Sequence, residues 1–416
     1  MRIDALERRD AGDRVRVSAR VCWEDSPREP LELVFDAEGP AAASLRADPN
    51  ALLLAAALPA MRHGERRIAI EGAVCPRLAD GLRAAAAILR SWYGPPRTLP
   101  AIEPANGFHP PVPAPPRAAA FLSGGLDSLD VFLRNRTYFP AGHPARVEDA
   151  LHVSGLPFTG PAGSASHEGF VFRARTAATA IARRIGVPLS FVTTNLGEID
   201  RDFLFFRSEY FGSAYAAVAQ LFSARFTEVS YASAQQAGIR LDPLGSHPLL
   251  DPLYSTGALE FRHTGADRTR LEKAREAASR PDLLPHLHVC LQVPFEGPGA
   301  NCGRCEKCQH TQIELLLAGA PRTAFPADSL TADSIRALRP DPHTRFFWAP
   351  FAEPLRLAGR GDLADAADAL VRRMDEVHRW LRDAGWKGRL RRLDRRLFAG
   401  RFLRVRRFLR ERSTPA

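Results

Sequence analysis

The stretch Phe121-Leu122-Ser123-Gly124-Gly125-Leu126-Asp127-Ser128-Leu129 decides how this 416-residue chain is read. It follows the apolar run Ala118 to Leu122 and opens into Leu126 to Leu133, whose apolar spacing suits a helix. The expected context is therefore strand, glycine turn, helix N-terminus. The first amides of a helix lack intrahelical partners and carry the positive end of its dipole, so phosphate oxygens can take the hydrogen bonds those amides lack. Gly124 and Gly125 permit positive φ and close backbone approach, while Ser123 and Ser128 add hydroxyl donors. A plain serine-glycine turn with an Asp cap is the structural alternative. A Walker A loop is excluded: no Gly-x4-Gly-Lys-Ser/Thr string occurs, and the only lysines are Lys273, Lys307 and Lys387.

Downstream, strands and helices alternate as in an α/β parallel sheet covered on both faces. Expected strands are Leu151 to Val153, Leu189 to Thr194 and Glu228 to Ala232, and expected helices are Gly169 to Ile185 and Tyr210 to Phe226. In such sheets ligands sit beyond the carboxyl ends of the strands, which draws attention to Ser154, Thr194 and Ser233 to Gln235. The Gly160 to Ser166 stretch could form a flap over a nucleotide, and His247 and Asp251 lie in an expected loop near the site. A charged helix is expected over Arg268 to Ala278, with Arg270 and Glu272 pointing to different faces.

Upstream, residues 1–93 read as a separate α+β domain, with strands at Arg14 to Val21, Leu31 to Phe35 and Arg67 to Ile70 and helices at Asn50 to Met61 and Leu78 to Trp92. A Pro-rich linker, residues 94–116, follows. The domain that carries the glycine turn is expected over 117–320, a helical extension over 321–385 and a basic amphipathic tail over 386–416.

Four of the six cysteines cluster as Cys290-x11-Cys302-x2-Cys305-x2-Cys308. Four thiolates are the usual tetrahedral shell of structural Zn2+, with iron–sulfur ligation as the competing reading. A four-cysteine shell leaves no open coordination position, so the metal should hold the fold rather than perform hydrolysis.

The net charge of +10 resides in the tail: Lys387 to Arg412 holds twelve basic residues against Asp394 and Glu411. Such a helix could grip nucleic acid or an anionic surface, or pack its Leu/Phe stripe on the body with its arginines in water. The N-terminus lacks a signal-peptide apolar region and no apolar run reaches span length, so a cytoplasmic protein is expected.

The Ser-Gly-Gly-x-Asp-Ser string resembles the PP-loop of the N-type ATP pyrophosphatases. With the following Cys…Cys-Gly-x-Cys-x-x-Cys, the chain is similar to the 7-cyano-7-deazaguanine synthase family of the queuosine pathway from about Ala118 to about Leu317. The resemblance implies an adenine nucleotide alpha hydrolase-like fold. It implies that Ser123, Gly124, Gly125, Leu126, Asp127 and Ser128 bind ATP and Mg2+, with Asp127 the candidate magnesium ligand, and that Cys290, Cys302, Cys305 and Cys308 bind Zn2+. The family's Lys-x-Glu pair matches Arg270-Leu271-Glu272, which makes Asp127, Arg270 and Glu272 candidate catalytic residues. Where the family has an arginine after the last cysteine, this chain has Gln309-His310-Thr311, and it carries long additions at both ends.

The expected activity is ATP-dependent adenylation of a carboxylate or amide of a small molecule or protein, followed by attack of a nitrogen nucleophile. The association of extended relatives with antiphage systems suggests a redirected substrate, such as a protein. A tRNA-thiolation enzyme and a non-catalytic nucleotide-binding subunit with a nucleic-acid-binding tail are the alternatives, and a homodimer is a possible assembly.

Overall fold

The computed structural model describes residues 1–156, 165–234, 236, 241–292, 299–382 and 393–394. Its contacts divide the chain into two units, Met1–Gly303 with Glu314–Ala327, and Arg304–Ile313 with Asp328–Ala416.

The first unit opens with three strands, β1 (Arg2–Ala11), β2 (Arg14–Cys22) and β3 (Leu31–Glu38). Val15, Val17, Ala19 and Val21 alternate inward along β2, which is the period of a half-buried antiparallel strand. Helix α1 (Pro49–Arg62) starts where Asp48 accepts the Asn50 amide at 2.8 Å and Pro49 takes the first-turn position. Its residues Asn50 to Met61 are all buried, which suits a helix apolar on every side. Then come β4 (Arg67–Ile70), α2 (Pro76–Tyr93) and β5 (Ala101–Pro104).

The remainder of this unit alternates: β6 (Ala118–Phe121), α3 (Leu126–Tyr138), β7 (Val147–Ser154), α4 (Ala165–Ile185), β8 (Leu189–Thr194), the single turn α5 (Phe203–Phe205), α6 (Phe211–Gln220), β9 (Glu228–Ala232), β10 (Glu260–Thr264) and α7 (Arg270–Ala278). The continuous apolar run of β6 is buried at all four residues, as a strand covered on both faces must be.

Among the described residues ten strands form one sheet, in the order β10-β9-β6-β7-β8-β3-β2-β1-β4-β5. Six of its neighbouring pairs are parallel; β8–β3, β3–β2 and β2–β1 are antiparallel. Residues 1–93 thus continue the sheet of the glycine-turn region. The join is Phe35 to Glu38 of β3 running antiparallel to Phe191 to Thr194 of β8. Asn195 extends it: its side chain accepts from the Val34 amide (2.8 Å) and donates to the Glu32 carbonyl (2.7 Å), standing in for a further rung. This pairing covers what would be an open strand edge. The proline-rich stretch is likewise ordered in part, because β5 adds to β4 in parallel.

From β6 the connection runs to β7 on one side, while β9 lies on the other. That reversal makes a topological switch point at the carboxyl ends of β6 and β9, the place where open α/β sheets bind ligands.

The segment Glu306–Leu317 forms α8. The second unit continues with α9 (Ala332–Arg336), α10 (Arg345–Trp348), α11 (Ala352–Leu357) and α12 (Gly361–Arg382). Thr331 and Ser334 form a capping box at α9. Leu363, Ala367, Leu370 and Met374 recur at helical spacing on the buried face of α12. Trp348 is fully buried and donates to Glu306 at 2.8 Å. No helix among the described residues is long and apolar enough to cross a membrane.

Candidate functional site

The turn after β6 is held by its own serines. Ser128 Oγ accepts from the Ser123 amide (3.2 Å), lies 3.1 Å from Ser123 Oγ and donates to the Gly125 carbonyl (3.0 Å). Gly124 adopts φ +89°, a conformation that disfavours any side chain, and its carbonyl accepts from the His288 amide at 2.9 Å. Gly125 is the N-cap of α3 and no side chain caps that helix. Ser123 is exposed, whereas Leu126 and Ser128 are buried. The turn therefore leads from a strand's carboxyl end into an uncapped helix start, the geometry that suits an anion.

Asp127, one residue into the helix after Leu126, receives two cations. One carboxylate oxygen takes the Arg270 guanidinium and the other takes Lys273 Nζ at 3.0 Å. Arg270 also reaches Glu314 on α8 through Nε (2.9 Å) and Nη2 (3.1 Å), and both residues are buried. Burial opposes the guanidinium charge, yet Asp127 and Glu314 carry its pKa above the ordinary arginine value. Lys273 also donates to the Ser233 carbonyl at 2.7 Å, beyond β9. Next to this group, Asp130 accepts from Arg268 at 2.7 Å; burial pushes its carboxyl up to about 6 against the lowering by Arg268 and Lys273.

One sequence expectation changes here. Glu272 does not join the cluster: its carboxylate accepts the Thr269 amide (2.7 Å) and hydroxyl (2.8 Å), completing a capping box at the start of α7. A residue two positions from Arg270 on a helix faces elsewhere, so the cap claims it. Asp127, the candidate magnesium ligand, faces a cation at each of its oxygens, Arg270 at Oδ2 and Lys273 at Oδ1. Sequence reasoning missed Lys273, Glu314, Arg268 and Asp130. The available signals were the i,i+3 spacing of Lys273 from Arg270 and the lone acid Glu314 in the apolar end of α8.

His152 on β7 holds the base of the turn. Its Nδ1 donates to the Leu122 carbonyl at 2.8 Å, as it must because a carbonyl only accepts. Burial lowers its pKa to about 4, against the raising by that hydrogen bond and with help from Arg175. An exposed histidine in the unfolded chain takes up a proton near pH ~6.5, whereas folded His152 does so only near about 4. The unfolded state therefore binds the extra proton, and stability is expected to fall by about 3 kcal/mol as pH drops through that window. Urea unfolding at pH 7.5 and pH 4.5, compared with His152→Gln, checks this: the variant should lose that part of the pH dependence.

The four clustered cysteines come together. Their sulfurs all lie within 4.8 Å of one another, and none is in a disulfide. Tetrahedral thiolate sites with Zn–S near ~2.3 Å require sulfurs nearly this close, so the donor set fits a metal ion such as zinc. Asn301, fully buried, fastens the segment that enters the knuckle: Oδ1 accepts the Val289 (2.8 Å) and Cys290 (3.1 Å) amides, and Nδ2 donates to the Leu287 (2.7 Å) and Ala324 (3.0 Å) carbonyls. Because His288 binds Gly124, the chain entering the knuckle also fixes the glycine turn.

Other candidate positions are placed differently. Thr194 sits under the β3–β8 pairing with its hydroxyl accepting the Leu196 amide at 3.1 Å, and Ser154 is buried at the end of β7. His247 packs against Trp92 and accepts from the Leu249 amide at 3.0 Å, a structural role. Gln235, the flap candidates 160–164, and the 387–412 tail apart from Leu393 and Asp394 lie outside the described residues.

Comparison of the chain with protein-family models, with characterised proteins and with solved structures returns no match.

Proposed function

We propose that the chain is an ATP-dependent, AMP-forming ligase of the PP-loop type, which adenylates a carboxylate or amide and passes it to a nitrogen nucleophile. The observation that carries this reading is the Ser123–Ser128 turn at the β6/β9 switch point, opening into an uncapped helix start. On this reading the turn's amides and the Ser123 hydroxyl bind the leaving pyrophosphate. Asp127 positions Arg270 and Lys273, whose charges offset what develops on the phosphates. The cysteine cluster would hold zinc and keep His288 against Gly124; four thiols committed to one ion leave none of them as a persulfide carrier, which argues against sulfur transfer.

The test is exchange of radiolabelled pyrophosphate into ATP. Wild-type protein should exchange label in the presence of its cognate acid, and Gly124→Ala, forced into a positive-φ position, should lose exchange while remaining folded. Absence of exchange across a panel of carboxylates and cell extracts, with ATP bound unchanged, would favour a non-catalytic nucleotide-binding role.

A further inference from the structure

Beyond the phosphate turn, the carboxyl ends of β9 and β10 bring together three side chains that the adenylation reading leaves without a task. His263, near the end of β10, lies 2.7 Å through Nδ1 from Asp251 Oδ2 and 2.6 Å through Nε2 from Ser233 Oγ. A carboxylate only accepts, so Nδ1 carries the proton and Nε2 accepts from the Ser233 hydroxyl. Asp251 is itself oriented: Ser246 Oγ donates to Oδ2 at 2.7 Å and the His247 amide to Oδ1 at 3.2 Å. The Ser233 main chain is fixed as well, its amide donating to the Thr264 carbonyl (2.8 Å) and its carbonyl accepting from Lys273. Hydroxyl, base and orienting carboxylate thus stand in the order and spacing of a nucleophilic triad. Ser233 follows β9, the strand next to β6 and its glycine turn, and His263 lies one strand further, on β10.

We propose that Ser233 is an acyl-accepting nucleophile activated by His263 and Asp251, taking activated acyl groups such as acyl phosphates or acyl adenylates. Ser233 Oγ bonds to the acyl carbon while its proton passes to His263 Nε2; the bond from that carbon to the phosphate oxygen then breaks and the imidazolium gives that proton to the departing phosphate, which leaves His263 neutral again. Water or an amine then attacks the acyl-serine, gives its proton to His263, and the imidazolium returns that proton to Oγ as the ester bond opens. Such a triad would allow an acyl group made at the turn to be held covalently before transfer. Its chemistry needs no ATP, so it can be tested apart from the ligase reading.

Ser233 is fully covered in this conformation, so labelling reads access and nucleophilicity together. Full-length protein is treated with a fluorophosphonate, and adducts are located by intact mass and peptide mapping. One adduct per chain at Ser233 is expected, absent in Ser233→Ala and slowed on the order of 100-fold or more in Asp251→Asn, which keeps the shape of the side chain. His263→Gln, where its melting curve matches wild type, should behave likewise. No adduct at Ser233 on the folded wild type, or labelling as fast in Asp251→Asn as in wild type, would overturn the proposal.

Discussion

Cys308→Ser is expected to release one equivalent of zinc per chain and to melt the protein far below wild type. Cys308 is fully buried and Cys290 nearly so, and the thiols converge without disulfides, so without an ion the thiolates would repel one another inside the fold. Structural zinc sites contribute about 10–16 kcal/mol of apparent binding free energy, larger than the whole stability of an ordinary domain. The loss should spread to the glycine turn, because His288 and Asn301 tie the entry to the knuckle to Gly124 and to Leu287. Elemental analysis and melting curves with and without a strong chelator measure it. A metal-free wild type with an unchanged melting temperature would sink the assignment.

The second large effect is expected at Arg270. Arg270→Leu removes the cation that faces both Asp127 and Glu314. Asp127 retains Lys273, but Glu314, 2% exposed at its side chain, would be left as a buried carboxylate without that cation. Breaking one side of a buried pair in this way costs about 3–5 kcal/mol. Removing both sides should cost less: Arg270→Leu with Glu314→Leu is expected to recover most of the loss, since the desolvation of two charges is removed along with their attraction. Arg270→Lys should be intermediate, because an ammonium cannot reproduce the two-nitrogen grip on Glu314. Chemical unfolding of the four proteins reads this directly. If Arg270→Leu were as stable as wild type, Glu314 would not depend on the guanidinium. Pyrophosphate exchange on the same proteins separates the charge supplied to the phosphates from the charge needed for folding.

One carboxylate, Asp127, aims a pair of cations, Arg270 and Lys273. Arg270 and Lys273 share a face of α7 one turn apart, and the capping box at Thr269 fixes where that face begins. Asp127 is reached from that face because α3 is also fastened to the residues just before α7, Arg134 to Asp267 (2.6 Å) and Asp130 to Arg268. The electrostatics of the site are thus set by two helices that meet at their N-terminal ends, where added negative charge is most favoured.

What the sequence determined by itself was local. The unalternating apolar run before Ser123 is the doubly covered strand its composition leads one to expect, the two glycines followed by helical spacing turn into a helix, and Leu189 to Thr194 and Glu228 to Ala232 lie where their β-branched and aromatic residues put them. Four cysteines at knuckle spacing were likewise sufficient to foretell their convergence, because short loops bring near neighbours together. Only the tertiary structure decided which residues meet over long separations. Strand pairing depends on edges and register that local alternation does not encode, so β3 on β8 joins residues 1–93 to the same sheet. The partners of Arg270 lie 143 and 44 residues away, and Ser233, His263 and Asp251 sit on two strand ends and a connecting loop. A side chain's periodicity reveals which way it faces, but what it faces is settled when the sheet closes and burial demands that every charge inside find its opposite.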